Sequence, residues 1–306
     1  MTDLSNKIII DWLQFTLLRD DGLEIVFRIL RLNPADFERL DKGGLGYRDQ
    51  LINNNVRIYY NGNIGMGINT SISGKGCRYM ESQGISLWSL VFRLAQSAKI
   101  NITRLDLALD TSVKLIDRIR KSIDTKKYIS KSRSISYICK SGKDSTRTET
   151  IYLGSRSSDL MIRIYDKAVE QGLDDVVWER WEIVLKKDKI KEAIPLLKKD
   201  ISHTFRNILY TYFRPIKKIE SNKSRSLVEK WYIKFLGTVE KISLYSEPGQ
   251  KTIEDKWQWV EKQVAPTLSL LALAFDNTDF LAGIARGNVD RIKQKDLELI
   301  NKYKEM

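Results

Sequence analysis

The chain has 306 residues, with 52 Lys and Arg against 39 Asp and Glu, a formal net charge of +13 and one histidine. Hydrophobic residues make up 42%, enough to bury a core, which excludes a disordered tail protein. The longest apolar run, Leu268–Phe275, falls far short of the ~18–20 residues that a spanning helix needs, so no membrane partner is expected.

In chain order, residues 7–18 (KIIIDWLQFTLL) read as a strand, and Glu24–Leu32 fits a helix or a buried strand equally. Residues 56–62 and 64–72 read as paired strands around Asn61-Gly62-Asn63, a hairpin signal. Ser86–Ala98 repeats its apolar residues at helical spacing, residues 102–110 alternate strictly as a strand, and Val113–Ile123 is a short basic helix. Further strands are expected at 133–139, 148–153, 160–166 and 177–185, and Lys191–Lys199 opens a helical region. Later helices are expected at Ser226–Leu236, Ile253–Gln263 and Asp290–Lys304. The fold class is therefore α+β: an antiparallel sheet with helices on it over residues 1–200, then a mainly helical region over 201–306, with Ser221–Ser226 as the expected flexible join. No internal repeat is visible.

The positive charge is concentrated. Val113–Arg147 holds 11 Lys and Arg against 3 acids, and Lys186–Lys230 holds 13 against 5. Phe205, Tyr210, Tyr212 and Phe213 interleave with the second run. Such surfaces suit a polyanion, and the aromatics suit stacking on unpaired bases. The two cysteines, Cys77 and Cys139, fit a reducing cytoplasm, and the polar start with Asp3 does not read as a secretory signal. With His203 as the only histidine, a metal would need hard oxygen ligands, which favours Mg2+ or Mn2+.

Three segments could carry chemistry. In ITRLDLALD, Arg104, Asp106 and Asp110 share one strand face and the leucines the other. In VWERWEIVL, Arg180 and Glu182 share a face, and Glu182 borders an apolar run where a carboxylate needs a cation or a salt bridge with Arg180 or Arg104. In LMIRIYDK, Arg163, Tyr165 and Lys167 share a face, so the tyrosine sits between two cations that could hold a phosphate and lower the phenol pKa from its usual ~10. Tyrosine is a competent covalent nucleophile.

With these segments in hand, the chain resembles the rolling-circle replication initiators of small Gram-positive plasmids, of the staphylococcal tetracycline-resistance type, and their relatives in conjugative elements. The matching stretches are IDWLQFT, TRLDLALD, TIYLGSRSSDLMIRIYDKAVEQ, RWEIVLK, NKSRSLVEKWYIKFLG and EDKWQWVEKQVAPTLSLL, in the family's order. The resemblance implies an altered HUH-type nicking fold and a metal-dependent enzyme that cuts one origin strand through a 5′-phosphotyrosine. It implies Tyr165 as nucleophile, Asp106 and Glu182 as ligands of Mg2+ or Mn2+, and Asp110 and Glu149 as secondary acidic candidates. Arg163, Lys167, Arg156 and Arg180 are expected on DNA phosphates, with origin recognition or dimerisation in residues 201–306, where Arg286, Arg291 and Lys293 are candidate contacts. Origin DNA, a homodimer and a host helicase are the implied partners.

Three other readings stay open. A relaxase acting at a transfer origin would use the same residues, although a match starting near residue 8 leaves no room for an added N-terminal DNA-binding segment. His203-Thr-Phe-Arg206 with Trp231 and Tyr245 mimics part of a tyrosine recombinase. A non-catalytic DNA-binding protein would need none of this chemistry.

Overall fold

The computed structural model describes residues 7–141, 147–173, 176–222, 225–244 and 252–305. The chain forms two compact units, Met1–Tyr245 and Ser246–Met306.

The first unit opens with β1 (Ile8–Leu17), α1 (Leu23–Leu30), β2 (Glu38–Leu40), β3 (Asp49–Asn53), β4 (Val56–Tyr60), β5 (Ile68–Ile72), α2 (Gly74–Ser82) and α3 (Leu87–Leu94). It continues with β6 (Ile100–Thr111), α4 (Ile116–Asp124), β7 (Tyr128–Ser130), β8 (Ile135–Ser141), β9 (Arg147–Leu153), β10 (Leu160–Asp166) and α5 (Lys167–Glu170). It ends with β11 (Glu179–Lys186), α6 (Asp188–Lys199), α7 (Ile201–Tyr212), β12 (Phe213–Pro215) and α8 (Lys230–Leu236). Ten strands form one sheet in the order β2-β3-β4-β5-β1-β6-β11-β10-β9-β8, and β7 pairs with β12 apart from it. The expected α+β architecture with an antiparallel sheet is what the chain adopts.

The sheet order is a repeat. A long strand, a helix, a four-stranded meander that returns beside the long strand, and a helix pair occur once as β1-α1-β2-β3-β4-β5-α2-α3. They occur again as β6-α4-β8-β9-β10-β11-α6-α7. The two long strands pair antiparallel at the seam, so a pseudo-twofold axis relates the halves and passes by the Trp12–Asp106 pair. The sequence conceals this because little survives between the halves beyond Arg57-Ile58-Tyr59 in β4 and Arg163-Ile164-Tyr165 in β10.

Alternation places the core. Leu105, Leu107 and Leu109 of β6 join Trp181 and Ile183 of β11 and Ile162 and Ile164 of β10 under the helices. Onto them pack Ile116 and Ile119 of α4, Ile190 and Leu197 of α6, and Phe205 and Ile208 of α7. Trp181 is fully buried, its ring 4.8 Å from Phe235. The other face of the same strands is polar.

Several elements differ from expectation. Glu24–Leu32 resolves into α1, with Val26, Phe27 and Leu30 buried. The short, charged strands β2 and β3 carry little apolar signal. Helix α2 contains Gly74 and Gly76, poor helix formers. A Cβ at Gly76 would stand 2.6 Å from the Asn55 carbonyl oxygen, so glycine permits the close approach of α2 to the β3–β4 turn. Residues 201–245 belong to the first unit: Leu209, Tyr232 and Leu236 lie in its core. The polar stretch at 221–226 is therefore internal to that unit, and its Lys223 and Ser224 lie outside the described residues.

The second unit is helical, with α9 (Ile253–Trp259), a π-helical turn (Val260–Val264), α10 (Ala265–Phe275), α11 (Asp279–Arg286) and α12 (Gln294–Lys304). Lys256 of α9 pairs with Asp296 of α12 at 2.8 Å. Among the described residues no helix is long and apolar enough to cross a membrane.

Candidate active site

Strands β6, β11 and β10 lie side by side, and their register assembles the polar face. Glu182 stands opposite Ala108 on one side and Arg163 on the other; Arg180 stands opposite Asp110 and Tyr165. Asp106, Asp110, Arg180, Glu182, Arg163 and Tyr165 therefore share a face. They meet at a groove of about 830 Å3 lined by Trp12, Arg104, Asp106, Arg163, Tyr165 and Lys167 among others.

Glu182 lies beneath the groove and is 0% exposed. Its Oε1 accepts the Tyr165 hydroxyl at 2.6 Å, and its Oε2 accepts Arg163 Nε at 2.8 Å and Arg163 Nη2 as well. The Arg163 guanidinium lies 5.0 Å from the Tyr165 ring centroid, and Lys167 Nζ lies 5.6 Å from it. Asp166 caps α5 through the Val169 N–H, which turns the chain so that Lys167 follows the tyrosine into the groove. On β6, Arg104 grips Asp106 with two bonds of 2.8 and 2.6 Å while stacking 4.4 Å over Trp12. Arg180 forks onto Asp110 at 2.6 and 2.7 Å and reaches Asp11 at 3.0 Å.

Burial sets the protonation. It pushes the Asp106 carboxyl up to about 6, against the bonds and charge of Arg104, and the nearby Glu182 charge adds to the rise. Burial, then the Glu182 charge and its hydrogen bond, push the Tyr165 phenol well above its ordinary value, although Arg163 and Arg180 pull the other way. The phenol is thus a protonated donor held on a carboxylate. Arg163 pulls toward the phenolate as the sequence suggested, but burial and the Glu182 carboxylate that holds the hydroxyl outweigh it.

Two sequence profiles match the chain: Replication initiation factor over residues 100–284 and Rolling Circle replication initiation protein N-terminal domain over residues 7–87. The first spans more than half of the chain. The protein belongs to the replication initiation factor family. A Putative DNA relaxase NicK of Bacillus subtilis (strain 168) is 24% identical over 320 residues, covering 97% of this chain and 88% of the relative. The solved Rolling Circle Replication Initiator Protein from Geobacillus stearothermophilus is 30% identical, with a TM-score of 0.70, covering 78% of this chain and 99% of that one.

Within this member of the initiator family, the expected site residues separate into those brought together and those left apart. Tyr165, Glu182, Arg163, Asp106, Asp110, Arg180 and Lys167 converge. Glu149 does not: it follows the register of Ile151 onto the helix-bearing face, where Arg120 of α4 holds it at 2.5 Å. Arg156 lies in the β9–β10 turn, at the end of β10 remote from Tyr165. Gly154 opens that turn at φ +102°, a conformation glycine adopts without strain. His203 sits on α7 with Nε2 3.4 Å from Glu240, and Arg206 binds the carbonyls of Phe235 and Leu236, so this pair ties helices together. Tyr245 lies outside the described residues. Sequence reasoning missed Asp11 and Trp12, which enter the groove where β1 bulges between Ile10 and Trp12. The IDWLQFT match was their only signal.

Proposed function

We propose that the protein is a plasmid rolling-circle replication initiator that cuts and rejoins one origin strand through a covalent link between Tyr165 and a 5′ phosphate. The observation that carries this reading is the Tyr165–Glu182 hydrogen bond of 2.6 Å, set in a cation-lined groove. Membership of the replication initiation factor family supports it.

In this reading the Tyr165 oxygen bonds to phosphorus as the bond from phosphorus to the 3′ oxygen breaks. The phenolic proton passes to Glu182 Oε1 and ends on the leaving 3′ oxygen. Because burial disfavours a free phenolate, the proton leaves in step with attack, and the carboxylate already in place makes that possible. Lys167 and Arg104 line the groove paired with Glu170 and Asp106, and would turn from those acids to the phosphate oxygens when DNA enters. The product is again a phosphodiester, so the reverse reaction closes the strand.

Mg2+ or Mn2+ fits this site by donor chemistry. Asp106 and Glu182 are buried carboxylates, close enough that one raises the pKa of the other. Mg2+ is commonly held by one or two carboxylates, with phosphate oxygens and water completing its shell. Among the described residues no group of three or more His, Cys, Asp or Glu stands ready for a metal, so substrate oxygens and water would supply the rest. When bound, the ion polarises the scissile phosphate. Asp106, Glu182 and Asp110 each hold an arginine, so an ion at Asp106 and Glu182 would have to displace Arg104 and Arg163; Asp110 would be a secondary ligand, and Glu149, on the other face, takes no part. Origin DNA is the substrate, a second copy of the chain and a host helicase are the further partners, and a reducing cytoplasm is the compartment.

A second reading, a relaxase acting at a transfer origin, is favoured by the B. subtilis relative. Supercoiled plasmids carrying either the replication origin or the transfer origin of the native element decide between them. Cutting at the replication origin supports the proposal, cutting confined to the transfer origin selects the relaxase, and binding without cutting at either selects a non-catalytic role.

A further inference from the structure

The pseudo-twofold axis gives every site residue a counterpart in the N-terminal half. Setting Arg57-Ile58-Tyr59 of β4 on Arg163-Ile164-Tyr165 of β10 also brings the ends of β1 and β6 into line, so Tyr59 corresponds to Tyr165 and Arg57 to Arg163. Through β5 and β11, Ser71 corresponds to Glu182 and Asn69 to Arg180. Through β1 and β6, Thr16 corresponds to Asp110 and Trp12 to Asp106. The N-terminal half has kept the tyrosine and the arginine, and none of the counterparts of Asp106, Asp110 and Glu182 is a carboxylate.

That loss changes what the patch can do. Arg163, Arg104 and Arg180 are each neutralised by an acid. Arg57 makes no ion pair among the described residues; its guanidinium rests 3.5 Å from the neutral Gln50 oxygen. Around it Gln14, Asn69 and Thr16 form a hydrogen-bonded amide and hydroxyl chain at 3.1 and 2.9 Å. Tyr59 is held in place by the Tyr47 ring, 6.2 Å away. Asp11 on this face is taken up by Arg180, and Glu38 stands two strands away beyond Ile52, so the half-buried Arg57 guanidinium keeps its charge for a phosphodiester. Without an acceptor for its proton and without carboxylates for a cation, Tyr59 has no means to cut it.

We propose that the β1-β4-β5 face, centred on Arg57, is a second, non-cutting DNA subsite that holds the backbone of the opposite arm of an origin hairpin. The twofold relation reverses polarity, so DNA bound there in the related pose runs antiparallel to the strand at Tyr165, as the two arms of a hairpin do. From β4 to β10 there are five strand spacings, ~24 Å at ~4.8 Å each. At 3.4 Å per nucleotide this is about seven nucleotides. A short oligonucleotide around the cut cannot reach both sites.

This inference rests on the groove at Tyr165 being where the cut strand lies. The test compares Arg57→Glu and Arg57→Gln with wild type on two probes: an origin hairpin with arms longer than about ten nucleotides, and a single-stranded oligonucleotide confined to the cut. Charge reversal is expected to weaken hairpin binding about tenfold, with the glutamine variant between, and short-oligonucleotide binding less than about twofold. The salt dependence of hairpin binding should lose about one unit of slope. Equal loss on both probes, no loss on the hairpin, or equal loss on a long strand unable to fold back would overturn the proposal. If wild type binds the hairpin through Arg57 but never cuts, the nicking assignment fails and the subsite stands.

Discussion

The Tyr165 hydroxyl reaches diagonally to Glu182 on the neighbouring strand, at 2.6 Å, although the residue directly opposite Tyr165 in the register is Arg180. Arg180 is taken up by Asp110 and Asp11, and Arg163 fixes the far oxygen of Glu182. The positions of Tyr165 and Glu182 are thus set by a ladder of neighbouring ion pairs.

Glu182→Gln removes the carboxylate that accepts the Tyr165 hydroxyl and keeps the shape. Strand cutting should fall by a factor of about 10² to 10⁴, while origin affinity changes by less than about threefold. Single-turnover cutting with parallel binding measurements checks this, and cutting within about fivefold of wild type would remove Glu182 from the proton path.

Asp106 has a folded-state pKa of about 6, above its ordinary 3.8. A raised folded pKa favours the protonated form on folding, so the stability that proton contributes is complete below about pH 4 and is lost as pH rises through about 6. Relative to wild type, Asp106→Asn should gain on the order of 2 kcal/mol between pH 4 and pH 7.5, read from urea denaturation in chelator. The same variant should lose cutting at all Mg2+ concentrations. A stability difference flat across this range would show that Asp106 is not buried as described.

Removing Arg180 leaves Asp110 and Asp11 facing each other without their shared cation. Arg180→Ala should cost about 3 kcal/mol, and Arg180→Lys should recover less than half of it, because the two-pronged fork onto Asp110 cannot be made by an ammonium. Equilibrium unfolding measures both.

Glu149 serves as a negative control for the metal assignment. Glu149→Gln should keep cutting and its Mg2+ titration within about twofold of wild type, since the side chain pairs with Arg120 on the helix-bearing face. A shifted Mg2+ midpoint would place it in the site after all.

Much of this site was legible because strand alternation needs no tertiary information. RLDLALD and IRIYDK each declare which residues share a face, and Tyr165, Asp106 and Glu182 could be named from those patterns with the family resemblance. What one strand cannot declare is its neighbour. That β11 lies between β6 and β10 decides that Arg163 holds Glu182, and that Asp110 goes to Arg180. Burial is equally collective: Tyr165 between two cations reads as an activated phenol until the buried carboxylate beside it is known. Glu149 was misplaced because a strand face is ambiguous until the register is seen. The internal repeat escaped because a fold can be kept while nearly every polar residue is exchanged, leaving Arg57-Ile58-Tyr59 as the trace.

Mapping the covalent protein–DNA adduct decides whether Tyr165 becomes joined to DNA. Wild type and Tyr165→Phe are incubated with supercoiled origin plasmid and Mg2+ or Mn2+, and the protein–DNA adduct is digested and sequenced by mass spectrometry. A nucleotide is expected on the peptide containing Tyr165 in wild type, and neither nick nor adduct in Tyr165→Phe. Nicking that persists in Tyr165→Phe, or an adduct mapped to Tyr59 or Tyr245, would contradict it.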